Sequence, residues 1–581
     1  MKHWPFLVVL LVASCAAVYF LQRSHAQAPI TPRPLLYIVA DTQRESERLP
    51  LLVTRISGQE EISIGDQLAR QYALRTTADN DPEMARISAY LNTVGDFVAK
   101  QVRRKDIPYH FYLSNDRNLV NAFALPGGHI VVGRGLLELI ESEDELAALL
   151  GHEITHVDNR HAVEHLQYEA ASRKLGLGDV YQLGRPAVEV FEAGYTKEQE
   201  LEADRNGLDL AVAAGYSPSG AINLMKRFQQ LEPAQNQKAA SPLEEFAEVP
   251  FTALVEYFQS HPPASERLTA LQREILEQRL DASKPERTFT IRVIFLTDAA
   301  ERLNRNGNFQ KSIARFQEAT HLDGSYLRAW RGLSQAAWRS GDADEAARAA
   351  IEVIHRDANP RDWKLAARAM AASNAESSLS NVEKLESETY PSPDPSNEAY
   401  FAARVEVAGI AFQHGKKDAL PEFRKLLSDT PLANNARAFA LREIAWWMYR
   451  EGKLDLAVQQ LEDARQLTPQ SRETTLQLVW VLTDLGRQAD AQQFQLDVGR
   501  GFPSQEDGAE WRAASAVLDW RTDNHEAAER QFEIAAAGDP VWMNSQWVEN
   551  NYSASAAGVI KQLEMIESAR RLNETQNRGF R

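Results

Sequence analysis

The sequence predicts a mostly helical α+β domain with a small sheet, followed by an all-α solenoid of paired helices. Three observations carry that expectation. Apolar residues recur at helical spacing from Ile62 to Lys105 and again from Glu143 to His165. Between them, Tyr109 to Leu113 alternates, Val120 to Leu125 is apolar, and Pro126-Gly127-Gly128 turns into His129-Ile130-Val131-Val132, which reads as strands and a hairpin. Beyond about residue 290, small residues repeat with a fixed period. A chain of 581 residues is also too long for one core.

The first element is a leader. Lys2 and His3 precede an apolar run, Phe6 to Leu21, and Ala26-Gln27-Ala28 then offers small residues before Pro29. That is the layout of a signal peptide cut after Ala28, so residues 1–28 are expected to be removed on export. Two other readings of this segment stay open. The run is short of the roughly 20 residues of a membrane span, yet Tyr19-Phe20-Leu21 keeps apolar character close to the cut, as an uncleaved anchor would. Val12-Ala13-Ser14-Cys15 is also laid out as a lipoprotein box, although the residues after Cys15 stay apolar. Cys15 is the sole cysteine. A chain cut at Ala28 therefore has no thiol, and a catalytic metal must rest on His, Asp or Glu. The net charge of -17 argues against a general nucleic-acid partner, which would need a basic face.

Residues 29–60, with Pro29, Pro32 and Pro34, read as an extended lead-in, and 61–285 as the first domain. Ser142 and the acids after it start the helix carrying the chemistry. A second helix runs from Lys197 to Ala214 and stops at Gly215; the stretch from Pro233 to Pro250 reads as a loop, and another helix spans Ser265 to Leu280. From 290 to 570, Gly307-x4-Ser312-x3-Phe316-x2-Ala319 is followed 34 residues on by Gly341-x4-Ala346-x3-Ala350-x2-Val353. Gly452-x4-Ala457 and Gly486-x4-Ala491 show the same offset. A 34-residue period with small residues at these places resembles tetratricopeptide repeats, whose stacked helix pairs bury one continuous core. Ser373 to Pro395 fits that pattern poorly and reads as a degenerate repeat or an interruption.

The chemistry concentrates at Gly151-His152-Glu153-Ile154-Thr155-His156. Two His four apart share a helical face and can close on one Zn²⁺ at about 2.0–2.1 Å each. Glu153, beside the first His, can take a proton from the attacking water and pass it to the leaving amine of a peptide. Such a pattern has three fixed positions and also arises by chance. Here, however, it sits among Leu146, Leu149, Leu150, Ile154 and Val157, where unpartnered polar groups are costly. A third ligand is at hand in Glu200-Leu201-Glu202-Ala203-Asp204: Glu200 and Asp204 share a face, so one can bind metal while the other holds a His imidazole by its far N–H. Glu202 reads as solvated. His161 and His165 lie off the ligand face and read as structural.

This set, with His261-Pro262, resembles the HtpX-like and BepA-like gluzincin metallopeptidases over about residues 60 to 285. The resemblance implies zinc, one ion per chain, on His152, His156 and Glu200, with Glu153 as catalytic base and Asp204 behind the ligands. Asn121-Ala122-Phe123 matches the family's edge strand, which can pair with an extended substrate. The family's Ser-Arg before the third ligand is Thr196-Lys197 here, and Lys cannot make a bidentate Arg contact. His261 is either a regulatory contact that closes the metal or a residue packed in a Pro-stabilised loop.

A leader plus C-terminal repeats favours the BepA-like branch. It implies a periplasmic endopeptidase acting on misfolded or stalled envelope proteins, with the repeats recruiting protein substrates or the envelope protein-assembly machinery. Membrane association would then come through partners or an uncleaved leader. A chaperone or scaffold for outer-membrane protein assembly, with a latched and weakly active zinc site, is the alternative; a non-catalytic zinc fold is a third.

Overall fold

The computed structural model describes residues 56–76, 81–164, 167, 195–231, 261–392, 394, 396–429, 433–499 and 508–579. The leader with its alternatives, most of the lead-in, His165 and the loop expected from Pro233 to Pro250 lie outside the described residues. The chain divides into two compact units, Met1–Ile291 and Arg292–Arg581.

In the first unit, the helical stretch expected from Ile62 to Lys105 is two helices, α1 (Gly58–Thr76) and α2 (Pro82–Ala99). Asp81 accepts the backbone N–H groups of Glu83 and Met84, and Pro82 needs no hydrogen-bond acceptor of its own, so a fresh helix starts there. Strands β1 (His110–Ser114), β2 (Ala122–Leu125) and β3 (His129–Gly133) form a sheet in the order β1-β3-β2, with β3 parallel to β1 and antiparallel to β2. The hairpin turn between β2 and β3 needs glycine. Gly127 and Gly128 have φ of 75° and 92°, and a Cβ on Gly128 would lie 1.9 Å from the Pro108 carbonyl oxygen.

Helix α3 (Glu143–Asp158) begins at Ser142, whose hydroxyl accepts the Glu145 N–H at 3.0 Å. It stops short of the His165 expected from the sequence, because Arg160 takes a left-handed backbone with φ of 64°. Leu146, Leu150 and Ile154 of α3 are wholly buried, as are Ile87 and Leu91 of α2 and Ile130 and Val132 of β3. Helices α4 (Lys197–Ala213), α5 (Ser219–Leu231) and α6 (Ala264–Glu277) complete the described part. Both α4 and α5 pack on α3, and α6 packs on α4 and α5.

The second unit is helical throughout its described residues, opening with the pairs α7 (Arg292–Arg305), α8 (Phe309–Leu322), α9 (Leu327–Ser340) and α10 (Ala343–Asp357). The repeated glycines have a common reason: Gly307, Gly341, Gly452 and Gly486 all have φ between 68° and 87°, the left-handed turn that closes the first helix of a pair. The repeated small residues Ala319, Ala346, Ala457, Ala464, Ala491, Ala528 and Ala535 are fully buried where helices meet. The poorly fitting segment after Ser373 is a helix, Ala375–Thr389, and so continues the paired pattern with weaker sequence marks. Helices of this unit line an open cavity of about 640 Å³ whose walls include Lys364, Arg368, Trp446, Trp480 and Trp542. No described helix is long and apolar enough to cross a membrane.

Candidate metal centre

Helices α3 and α4 meet backbone to backbone. A Cβ on Gly207 would lie 2.6 Å from the His152 backbone nitrogen, and one on Gly151 would lie 2.4 Å from the Gly207 carbonyl oxygen. Only glycine at both places allows that approach. It brings the face of α4 bearing Glu200 and Asp204 against the face of α3 bearing His152 and His156.

The resulting ring distances are those of ligands around one small cation. His152 Nε2 stands 3.2 Å from His156 Nε2 and 3.6 Å from Glu200 Oε2, and His156 Nε2 stands 3.7 Å from Glu200 Oε1. Ligand atoms at the usual Zn distance of 2.0–2.1 Å, placed tetrahedrally, are about 3.3 Å apart. Glu200 supplies an independent fit. Its carboxylate is completely buried, and neither oxygen has a hydrogen-bond partner. An anion left so would cost several kcal/mol, and burial pushes its carboxyl well above the usual range. A cation between the two helices removes that cost. The residues present therefore fit a metal ion, and His152, Glu200 and His261 form a compact potential ligand group.

Each His is held from behind. Asp204 Oδ1 lies 2.9 Å from His152 Nδ1, so that nitrogen donates and Nε2 is left as a lone pair toward Glu200. Arg267 of α6 grips the same carboxylate twice, Nε to Oδ2 at 2.8 Å and Nη2 to Oδ1 at 2.6 Å. Burial would raise the Asp204 carboxyl, but the guanidinium outweighs it and holds the group well below the usual carboxylate range. Burial keeps both ligand imidazoles neutral by lowering His152 and, more strongly, His156. His156 Nδ1 meets His161 Nδ1 at 3.0 Å, and His161 Nε2 lies 3.5 Å from Glu202. His161 thus stays off the ligand face and packs behind a ligand, and the Glu202 side chain keeps 39% of its surface in solvent. The left-handed turn at Arg160 brings His161 back behind His156, with Glu202 beyond it.

Glu153 is buried in the same place, and its carboxyl is pushed up to about 8 by burial. His261 is buried, with Nε2 3.7 Å from Glu200 Oε2 and its ring 6.1 Å from that of His152. Ala122 and Phe123 lie on β2, while Asn121 immediately precedes it.

Residues 85–275 match the model of Peptidase family M48. This segment is a family M48 peptidase domain. Over 189 residues the chain is 31% identical to the beta-barrel assembly-enhancing protease of Yersinia pestis, covering 30% of this chain and 38% of that protein. It is 28% identical over 185 residues to the protein of the same name from Escherichia coli K12, covering 29% of this chain and 37% of that protein. A mitochondrial metalloendopeptidase of Arabidopsis thaliana is 31% identical over 169 residues, 28% of this chain and 31% of that protein. The chain thus spans less than two fifths of the length of each of these three relatives. The crystal structure of yeast Tom70 aligns at 14% identity with a TM-score of 0.32, covering 74% of this chain and 88% of that one, too slight a likeness to argue from.

Three further residues shape this site: Gly207, Arg267 and Tyr195. Gly207 had a visible signal, a glycine inside a helix seven residues after Glu200, where helix propensity alone disfavours it. Arg267 had none, because its partner lies 63 residues away. Tyr195 precedes the Thr196 cap of α4 and stacks on His156 with ring centroids 3.8 Å apart.

Proposed function

We propose that this chain is an exported zinc endopeptidase that cleaves peptide bonds of misfolded or stalled envelope proteins. The observation carrying the reading is the buried Glu200 carboxylate, unbonded at both oxygens, facing the Nε2 atoms of His152 and His156. His152, His156 and Glu200 would hold the ion, which when bound polarises a peptide carbonyl and acidifies water. The chain's own residues do the rest. Asp204, steadied by Arg267, orients His152, and His161 orients His156. Glu153 accepts a proton from the attacking water at its carboxylate and delivers it to the leaving nitrogen. β2, with Asn121 at its start, pairs with the extended substrate.

The substrate class and the periplasmic setting take support from the leader pattern and from relatives named for β-barrel assembly. The second unit would recruit those proteins or the assembly machinery through surfaces such as its 640 Å³ cavity. The deciding experiment compares zinc content and cleavage of unfolded casein for the wild type and Glu153→Gln. The variant should keep about one zinc per chain and lose at least 100-fold in kcat, and chelation of the wild type should abolish cleavage. Cleavage undiminished in Glu153→Gln would sink the enzyme reading.

The approach of His261 to Glu200 favours a second reading of the same molecule, a latched site serving a chaperone or scaffold. Basal cleavage should then rise several-fold in His261→Ala. Unchanged cleavage removes the latch, and rescue of outer-membrane assembly by Glu153→Gln would favour the scaffold.

A further inference from the structure

Antiparallel strands alternate between residues that exchange both backbone hydrogen bonds with the partner and residues whose N–H and C=O turn away. The Gly133 N–H donates to the Asn121 carbonyl at 2.9 Å. The register then sets Ala122 opposite Val132, Phe123 opposite Val131 and Ala124 opposite Ile130. Asn121 and Phe123 therefore belong to the bonded class, and Ala122 and Ala124 turn their four backbone groups away from β3. β2 is an outer strand of the described sheet, so those four groups are the ones an incoming strand would use.

Two of the four are already held from within the chain. The Ala122 N–H donates to Asn121 Oδ1 at 3.0 Å, and the Tyr195 hydroxyl donates to the Ala124 carbonyl at 3.1 Å. Ala122 to Leu125 are buried, Ala124 completely. The Tyr195 ring is pinned at the same time, lying nearly parallel to His156 at an interplanar angle of 15°. The Thr196 capping box with Gln199 sets where Tyr195 leaves α4. Proteins commonly blunt a strand edge to prevent stray pairing. Here the blunting hydroxyl belongs to the side chain that covers a candidate metal ligand.

We propose that Tyr195 and Asn121 form a removable cap on the outward edge of β2, and that the cap selects the substrate. This rests on the reading of β2 as the substrate strand. An entering segment must bring a backbone N–H to displace the Tyr195 hydroxyl from the Ala124 carbonyl. Fully extended, unfolded polypeptide with a free N–H at that position is accepted. A segment with proline there is refused, because proline has no N–H to offer. Tyr195 is thus a positioning and specificity residue, set apart from the proton transfer assigned to Glu153.

The test uses the full-length, zinc-loaded Glu153→Gln protein and a fluorescein-labelled ten-residue peptide of Ala, Val, Thr and Lys, read by anisotropy. The peptide is N-methylated at one position at a time. One or two alternate positions should weaken binding about tenfold. Adding Tyr195→Phe should tighten the unmethylated peptide about 2- to 10-fold, the scale of one hydrogen bond no longer displaced. It should leave zinc content unchanged, since the ring remains over His156. Asn121→Ala should shift affinity in the same direction and stands in if Tyr195→Phe folds poorly. If the alternation appears while both variants bind no tighter, the cap is wrong and the substrate strand stands. If no methylated position matters, the substrate-strand reading fails and the cap with it.

Discussion

The Asp204 carboxylate sits between a ligand imidazole and a guanidinium, and each contact depends on the other. Arg267 is almost fully buried. Removing it leaves the Asp204 anion with a neutral imidazole and no cation between α4 and α6, and a buried pair that loses one member costs about 3–5 kcal/mol. Arg267→Met should therefore lower the urea midpoint of the first unit and weaken zinc binding about 10- to 100-fold, measured by chelator competition. Arg267→Lys should recover only part of this, since one ammonium cannot match a two-pronged contact. Zinc affinity unchanged in Arg267→Met would show that Asp204 is held by other means. At this scale the sequence was informative about spacing and silent about partners. His152 and His156 had to share a helical face, but nothing near Asp204 in the chain pointed to residue 267.

Helices α3 and α4 reach their separation through Gly151 and Gly207 rather than through side-chain packing. An added methyl at Gly207 would fall 2.6 Å from the His152 nitrogen, against backbone that cannot swing aside. Gly207→Ala should push the helices apart, cost about 1–3 kcal/mol as overpacking does, and lower zinc retention without altering any ligand. Isothermal titration and urea unfolding would read both, and full zinc affinity in that variant would count against the close approach as the device that assembles the centre. The helices themselves were legible, because a Ser142 cap and a Thr196 cap begin them. The end of α3 was not. Arg160 adopts a left-handed backbone that no local residue preference demands, and it brings His161 behind His156.

Across the whole molecule, buried charge is not confined to the M48 domain. In the second unit Glu443 accepts Lys364 at 2.8 Å and Arg368 at 2.6 Å, and burial plus the neighbouring Glu443 pushes Glu406 up to about 8. Trp447 donates to one Glu406 oxygen at 3.0 Å, and the other oxygen has no partner. A carboxyl raised in the folded state from its ordinary 4.5 stabilises most below 4.5. That contribution falls as pH rises toward 8 and is flat above. Glu406→Gln should accordingly gain stability relative to the wild type between pH 5 and 8, on the order of a few kcal/mol in urea melts. Parallel pH dependence in the two proteins would mean Glu406 is charged in the fold. The 34-residue spacing announced the paired helices, and the left-handed glycines explain it. The cavity among distant helices left no mark in that spacing.

What the sequence determined by itself was whatever depends on neighbours along the chain. The faces of α3 and α4 bearing His152, His156, Glu200 and Asp204, the turn at Gly127-Gly128 and the glycine-closed helix pairs all follow from local periodicity and backbone preference. The tertiary structure decided how far apart those faces stand, that Glu200 is stripped of hydrogen bonds, that Arg267 holds Asp204, and that Tyr195 reaches from the start of α4 to the Ala124 carbonyl. These depend on contacts between residues separated by tens of positions, and such contacts impose no local periodicity to read.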